Sequence, residues 1–167
     1  MLTLKNSIIS KKEIKSESVS NIIEEVREIS RNLYPVILEK VGLEESVKSL
    51  AENFSNETTL FVTTEINYQN KVEKNKELHL YRIIQEALNN TLKHGNATIA
   101  KIKIVSDENF LHLSVKDNGE GFDVASKTKS KDSFGLQGIK QRAQAMSANL
   151  DLKSDDSGTE ILIKMAN

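Results

Sequence analysis

Leu78 to Ala97 reads LHLYRIIQEALNNTLKHGNA, and the rest of the chain is read outward from it. Leu80, Ile83, Ile84, Ala87, Leu88 and Leu92 fall at helical spacing and predict one apolar stripe. Arg82, Glu86, Asn90, Lys93 and His94 fall on another face of the same helix. That face carries a carboxylate, an amide, an ammonium and an imidazole in consecutive turns. A carboxylate orients or deprotonates a nucleophile, an amide oxygen suits a hard cation such as Mg²⁺, and basic groups suit phosphate oxygens. Taken alone, the row also fits an ordinary solvated surface.

Three further stretches bear on that choice. Lys116 to Phe122, KDNGEGF, follows the alternating run Phe110 to Val115. It reads as a plain turn or as a ligand loop whose glycines let backbone approach a flat ring. In the second case the Asp117 carboxylate accepts a hydrogen bond from an exocyclic amine. Phe134 to Arg142, FGLQGIKQR, carries Gly135 and Gly138 ahead of a segment with helical spacing. It predicts a glycine-bearing loop opening a helix N-terminus, where free N–H groups and the dipole favour phosphate; the alternative is a helix with a flexible entry. Ser157-Gly158-Thr159-Glu160 predicts a turn between the last two strands.

In this order the four stretches resemble the ATP-binding domain of the GHKL superfamily, which contains DNA gyrase, a heat-shock chaperone, MutL proteins and sensor histidine kinases. QEALNNTLKHGNA resembles the N-box, DNGEGF the first glycine box, FGLQGI the second, and SGTEILIKM the terminal strand with its Gly-Thr pair. The resemblance covers roughly residues 78–165. Within the superfamily it is closest to bacterial two-component sensor kinases of the nitrate-sensor and lipid-fluidity-sensor branch. The segment EVREISRNLYPVILEKVGLEESVKSLAENF resembles what precedes the catalytic domain there.

The resemblance implies a Bergerat-type ATP-binding fold: an α/β (α+β) two-layer sandwich of a mixed sheet with helices on one face, preceded by a dimerisation-type helix. It implies two domains, residues 1–36 as the N-terminal segment and the end of the dimerisation helix, and 37–167 as the catalytic domain. It implies ATP and Mg²⁺ as cofactors. Carried over residue by residue, Glu86 orients or activates the attacking group, and Asn90 is the Mg²⁺ ligand. Lys93 and His94 contact phosphates or ribose. Asp117 binds the adenine amine, with Thr159 in support, and Gly119 and Gly121 let the chain pass close to the nucleotide. Gly135, Leu136 and Gly138 cap the phosphates. The implied activity is that of a protein histidine kinase, with a histidine-bearing dimerisation domain and a response regulator as partners and a homodimer formed through residues 19–36.

One departure stands out. The family's phosphoacceptor histidine is usually followed by an acidic residue, whereas His79, His94 and His112 are followed by Leu, Gly and Leu. The expectation is a fragment of a larger kinase, or a separate chain, that does not autophosphorylate alone. Two other readings share the ATP fold: a serine kinase of the anti-sigma-factor type, and a non-catalytic nucleotide-binding scaffold. Leu33-Tyr34-Pro35 through Gly42-Leu43 favours the sensor kinase, and intact Glu86, Asn90 and Asp117 argue against a decayed site.

Composition sets outer bounds. The 167 residues suit one domain with an appended element. A net charge of −1 implies no general affinity for nucleic acid or anionic membrane. Cysteine is absent, which excludes disulfides and thiolate metal sites. No apolar run is long enough for a membrane span, so direct membrane contact is not expected and the expected compartment is the cytoplasm. A membrane anchor is left to the full-length kinase.

The remaining elements follow from pattern. Val19, Ile22, Val26, Ile29 and Leu33 predict a short heptad helix that stops before Pro35. Leu43, Val47, Leu50, Ala51 and Phe54 predict a second helix beginning near Gly42, and Thr58 to Tyr68 a strand. Thr98 to Val105 and Phe110 to Val115 predict an antiparallel pair. Residues 124–133, with Lys127, Lys129 and Lys131, predict a polar, flexible loop, which the resemblance makes the lid over ATP. Leu150 to Lys153 and Glu160 to Met165 predict a final hairpin.

Overall fold

The computed structural model describes residues 36–69, 72–124 and 134–167. The chain divides between Val36 and Ile37, and only the second unit is described below. The expected heptad helix and the three lid lysines lie outside the described residues.

The elements are α1 (Val36–Glu57), β1 (Phe61–Asn67), α2 (Lys74–His94), β2 (Ile99–Ser106), β3 (Phe110–Asp117), α3 (Phe134–Ala145), β4 (Asn149–Asp155) and β5 (Gly158–Ala166). The five strands form one sheet in the order β1-β2-β3-β5-β4. Only β1 and β2 are parallel; every other neighbouring pair is antiparallel. Parallel neighbours need a long crossover, and α2 is that crossover.

Side-chain alternation decides which face of the sheet is covered. On β2, Ala100, Ile102 and Ile104 are buried while Ile99, Lys101 and Lys103 are exposed. On β3 and β5 the buried sets are Leu111, Leu113, Val115 and Asp117, and Ile161, Ile163 and Met165. The helices supply the opposing layer through Leu43, Val47 and Leu50 on α1, Leu80, Ile83, Ile84 and Leu88 on α2, and Ile139 and Ala143 on α3. Each fully buried Leu or Ile contributes about 1.5–3 kcal/mol of transfer free energy. The result is the expected two-layer sandwich with one sheet face open.

Several boundaries differ from expectation for local reasons. Helix α1 starts at Val36, and its single non-helical residue is Gly42 (φ 80°, ψ 179°), so the expected helix start is a kink inside a longer helix. Glycine adopts that φ without the Cβ clash of other residues. Strand β1 starts later than expected because Thr58, just past α1, is tied back to the helix, its N–H and hydroxyl both donating to the Phe54 carbonyl. Leu92, expected in the apolar stripe, is 38% exposed. Toward the end of α2 the buried row runs from Ala87 and Leu88 to Thr91, and Leu92, one residue further round the helix, faces outward. Glu77 and Tyr81, not expected in the core, are buried. The Tyr68 hydroxyl donates to Glu77 Oε1 at 2.9 Å and accepts from the Val72 N–H at 2.8 Å, which satisfies that buried carboxylate.

Candidate nucleotide site

Topology brings four segments to one end of the sheet. Strand β2 leaves directly from the C-terminal end of α2, so its first residues lie beside that helix end. Strand β3 runs antiparallel to β2 with Asp117 opposite Ala100, which returns Asp117 to the same end. Strand β5 starts there too, with Glu160 opposite Lys116, and β4 ends there, with Ser154 opposite Thr159. A cavity of about 200 Å³ opens between α2, α3 and this sheet end. Ala87, Val115, Ile161, Leu136 and Phe122 make it apolar, and Asn90, Thr91, His94, Asp117 and Thr159 place polar groups on its wall. Drug-sized ligands occupy pockets of ~300–1,000 Å³, so this smaller one has room for an aromatic base.

Asp117 is the best-organised group in it. Its Oδ1 accepts the Gly119 N–H at 2.9 Å and the Thr159 N–H at 3.0 Å. Its Oδ2 accepts the Thr91 hydroxyl at 2.8 Å. Among the described residues no cation bonds to it. Thr159 therefore supports Asp117 directly through its backbone. Its hydroxyl instead shares a 2.9 Å hydrogen bond with Ser154 Oγ, which accepts the Phe122 N–H at 2.8 Å.

The glycines of the loop are required by packing. A Cβ on Gly119 would overlap the Gly95 carbonyl, and one on Gly121 (φ 63°) would overlap the Asp155 carbonyl. The first contact seats the loop on the end of α2, where the Glu120 N–H donates to the Gly95 carbonyl at 2.9 Å. Gly95 stops α2 as expected, but with right-handed φ −88°; the left-handed residue is Asn96 (φ 48°).

The second glycine pair lies inside α3, whose range begins at Phe134, and not in a loop before it. A Cβ on Gly135 would overlap Glu86 Oε1 and come 3.1 Å from Asn90 Nδ2 and 3.2 Å from Asn90 Oδ1. Glu86 and Asn90 thus converge on the first turn of α3, where helix N–H groups lack intrahelical partners. Asn90 Nδ2 is buried and has no hydrogen-bond partner. An unsatisfied buried amide costs about 1–3 kcal/mol, and a bound acceptor would recover it. A half-turn of the amide presents Oδ1 in its place.

Mg²⁺ fits these residues. No group of three or more His, Cys, Asp or Glu that could hold a metal exists among the described residues. Mg²⁺, however, usually takes only one or two protein oxygens and completes its shell from phosphates and water. The donor set here, an amide beside a carboxylate at the first turn of α3, is of that kind.

The sequence-predicted residues sort as follows. Asn90, His94, Asp117, Gly121, Gly135, Leu136 and Thr159 line the cavity. Glu86 stands behind its wall at Gly135. Lys93, Gly119 and Gly138 are not lining residues. Lys93 is exposed, and a Cβ on Gly138 would come 2.7 Å from Arg142 Nη1. That arginine has a further effect across the helix pair. Burial first, and then the Arg142 charge, lowers the pKa of His79; burial also lowers that of Arg82, opposed by Tyr81 and reinforced by Arg142. Thr91, Ser154 and Phe122 were not foreseen. Thr91 had a weak signal, a hydroxyl inside the functional run, and Ser154 had none, because only strand pairing brings it near Phe122.

Comparison with known proteins is decisive at this point. Residues 75–166 match the family described as histidine kinase-, DNA gyrase B-, and HSP90-like ATPase. The chain belongs to this family. Sensor protein VraS of Staphylococcus epidermidis is 36% identical over 141 residues, which cover 84% of this chain and 40% of that protein. Sensor protein VraS of Staphylococcus aureus matches with the same identity and coverage. The chain thus spans about two fifths of the length of these curated relatives. Among solved structures, the histidine kinase domain of the Erythrobacter litoralis EL346 blue-light activated kinase aligns with a TM-score of 0.61 at 17% identity, over 74% of this chain and 62% of that one. The ATP binding domain of PrrB from Mycobacterium tuberculosis aligns with a TM-score of 0.60 at 19% identity, over 74% of this chain and 92% of that one. These likenesses bear out the fold and the GHKL sensor-kinase resemblance. The family segment contains every proposed site residue, from Glu86 to Thr159. No helix among the described residues is long and apolar enough to cross a membrane.

Proposed function

We propose that this chain is the ATP-binding catalytic domain of a sensor histidine kinase, with residues 37–167 as that domain and 1–36 as an N-terminal segment with the end of a dimerisation helix. The observation that carries the reading is the Asp117 carboxylate: buried, held by two backbone N–H groups and one hydroxyl, and facing an apolar cavity. The adenine amine donates to Asp117 while the base fills the apolar part. The phosphates run toward Asn90, His94 and the first turn of α3, with Lys93 adding positive charge from outside the wall. Mg²⁺ held by Asn90 supplies charge neutralisation at the phosphates.

In the transfer, an imidazole nitrogen of a histidine on the dimerisation domain attacks the γ-phosphorus. A P–N bond forms, the bond to the β,γ-bridging oxygen breaks, and ADP leaves. Glu86 orients the imidazole or accepts its N–H proton. Such chemistry depends mainly on positioning and charge stabilisation. A response regulator then receives the phosphoryl group, in a cytoplasmic setting, with two chains paired through residues 19–36.

Calorimetric titration of ATP and ADP, with and without Mg²⁺, tests the site. Binding of both, with ATP the more Mg²⁺-dependent, is the expected result. A folded chain that binds neither overturns the reading.

A further inference from the structure

Thr91 behaves unlike the hydroxyls on α1 and just past its end that have described bonds. Ser46, Ser55 and Thr58 each donate back to the carbonyl four residues earlier, at 2.7–2.9 Å. This is the habitual local bond of such side chains. Thr91 instead donates across the layer to Asp117 Oδ2, 26 residues away, at 2.8 Å. It is 5% exposed and Asp117 is 8% exposed, so water does not compete freely for the bond. Both residues line the cavity.

The donor and acceptor count gives this bond a consequence. A carboxylate oxygen offers about two lone-pair sites. Oδ1 has both occupied, by the Gly119 and Thr159 N–H groups. Oδ2 has one occupied, by Thr91, which leaves one acceptor site. The Thr91 proton is committed to Asp117, so its oxygen also presents only lone pairs. This part of the wall therefore accepts and does not donate.

We propose that Thr91 is a positioning and specificity residue, which fixes Asp117 as an acceptor-only reader of a 6-aminopurine and rejects 6-oxopurines. The inference rests on the nucleotide-site reading above. A 6-amino group donates to the remaining Oδ2 site. A 6-oxo group meets two acceptors with no proton between them, and an unpaired buried polar group is heavily disfavoured. Without the Thr91 hydroxyl, Oδ2 takes up a water in its place, and that water can donate its second proton to a 6-oxo group.

The test titrates adenosine diphosphate and inosine diphosphate into the whole chain, as wild type, Thr91→Val and Thr91→Ser. Thr91→Val keeps the shape and removes the hydroxyl. It is expected to lower ADP affinity roughly fivefold, about the size of one hydrogen bond, and to narrow the ADP-to-IDP preference by at least a similar factor. Thr91→Ser is expected to restore the preference. Equal ADP loss and IDP loss in Thr91→Val would reduce Thr91 to a structural residue and overturn the inference. So would unchanged affinity for both. If Thr91→Val does not fold, Thr91→Ala carries the same comparison. Failure of the wild type to bind ADP is a different outcome and sinks the nucleotide site itself.

Discussion

Asp117 and Glu65 are carboxylates on one sheet, and they are held in opposite ways. Asp117, on the covered face at the end of β3, is 8% exposed and accepts hydrogen bonds from two backbone N–H groups and one hydroxyl. Glu65, on edge strand β1, has a side chain 47% exposed and lies 2.7 Å from Lys101 Nζ and 2.6 Å from Lys103 Nζ. Two lysines lower the Glu65 pKa to about 2, almost wholly through those contacts. Such an ion pair in water contributes little to stability and is screened by salt. Asp117 is held by neutral dipoles whose geometry the fold imposes, and it keeps an acceptor site open to a ligand. The closeness of a cation therefore marks the functional carboxylate less well than the number of fixed neutral donors around it.

The largest effect separating the two comes from Asp117→Asn. The amide keeps one carbonyl for the backbone donors but loses the charge and turns a donor toward the ligand. ATP affinity is expected to fall about a hundredfold, the scale of a lost hydrogen bond to a charged group, with the circular dichroism spectrum unchanged. Retained affinity would remove Asp117 from the site. Gly119→Ala comes next. Its methyl meets the Gly95 carbonyl, and overpacking of this kind costs about 1–3 kcal/mol. A lowered melting temperature is expected, together with weaker ATP binding as the Gly119 N–H shifts from Asp117. An unchanged melting temperature would mean that the loop is not seated on α2.

Glu65→Gln should do least. Because the folded pKa of Glu65 lies below its usual 4.5, its contribution is present above that value and is lost as pH falls toward about 2. The wild-type melting temperature should exceed that of Glu65→Gln by a small margin at neutral pH and low salt. The margin should close in high salt or at pH below about 2. A large, salt-independent difference would show that the exposed pair matters as much as the buried carboxylate, and the contrast would fail.

Much of this was legible beforehand because it is periodic or local. The alternation of Ala100, Ile102 and Ile104 against Lys101 and Lys103 announced a sheet with one wet face. The apolar row through Leu80, Ile84 and Leu88 announced the helix that covers the other. Leu92 differs from expectation because both Thr91 and Leu92 follow Leu88 at helical spacing, and only packing against Asp117 selects Thr91. The glycines of KDNGEGF and FGLQGI were recognised as special, but for a ligand's closeness. At Gly119 and Gly121 the nearest demand comes from the Gly95 and Asp155 carbonyls, residues far away in the sequence.

The sequence alone determined the order of elements, the family, and the set of groups able to serve ATP, because helix and strand periods and motif spacing are properties of neighbouring residues. Tertiary structure decided which of those groups work together. Antiparallel return of β3 beside β2 puts Asp117 under the end of α2. The start of β5 supplies the Thr159 N–H, and the first turn of α3 closes on Glu86 and Asn90. Thr91 joined the set only then, since a hydroxyl chooses between its own helix and a distant carboxylate only when packing brings the carboxylate within reach.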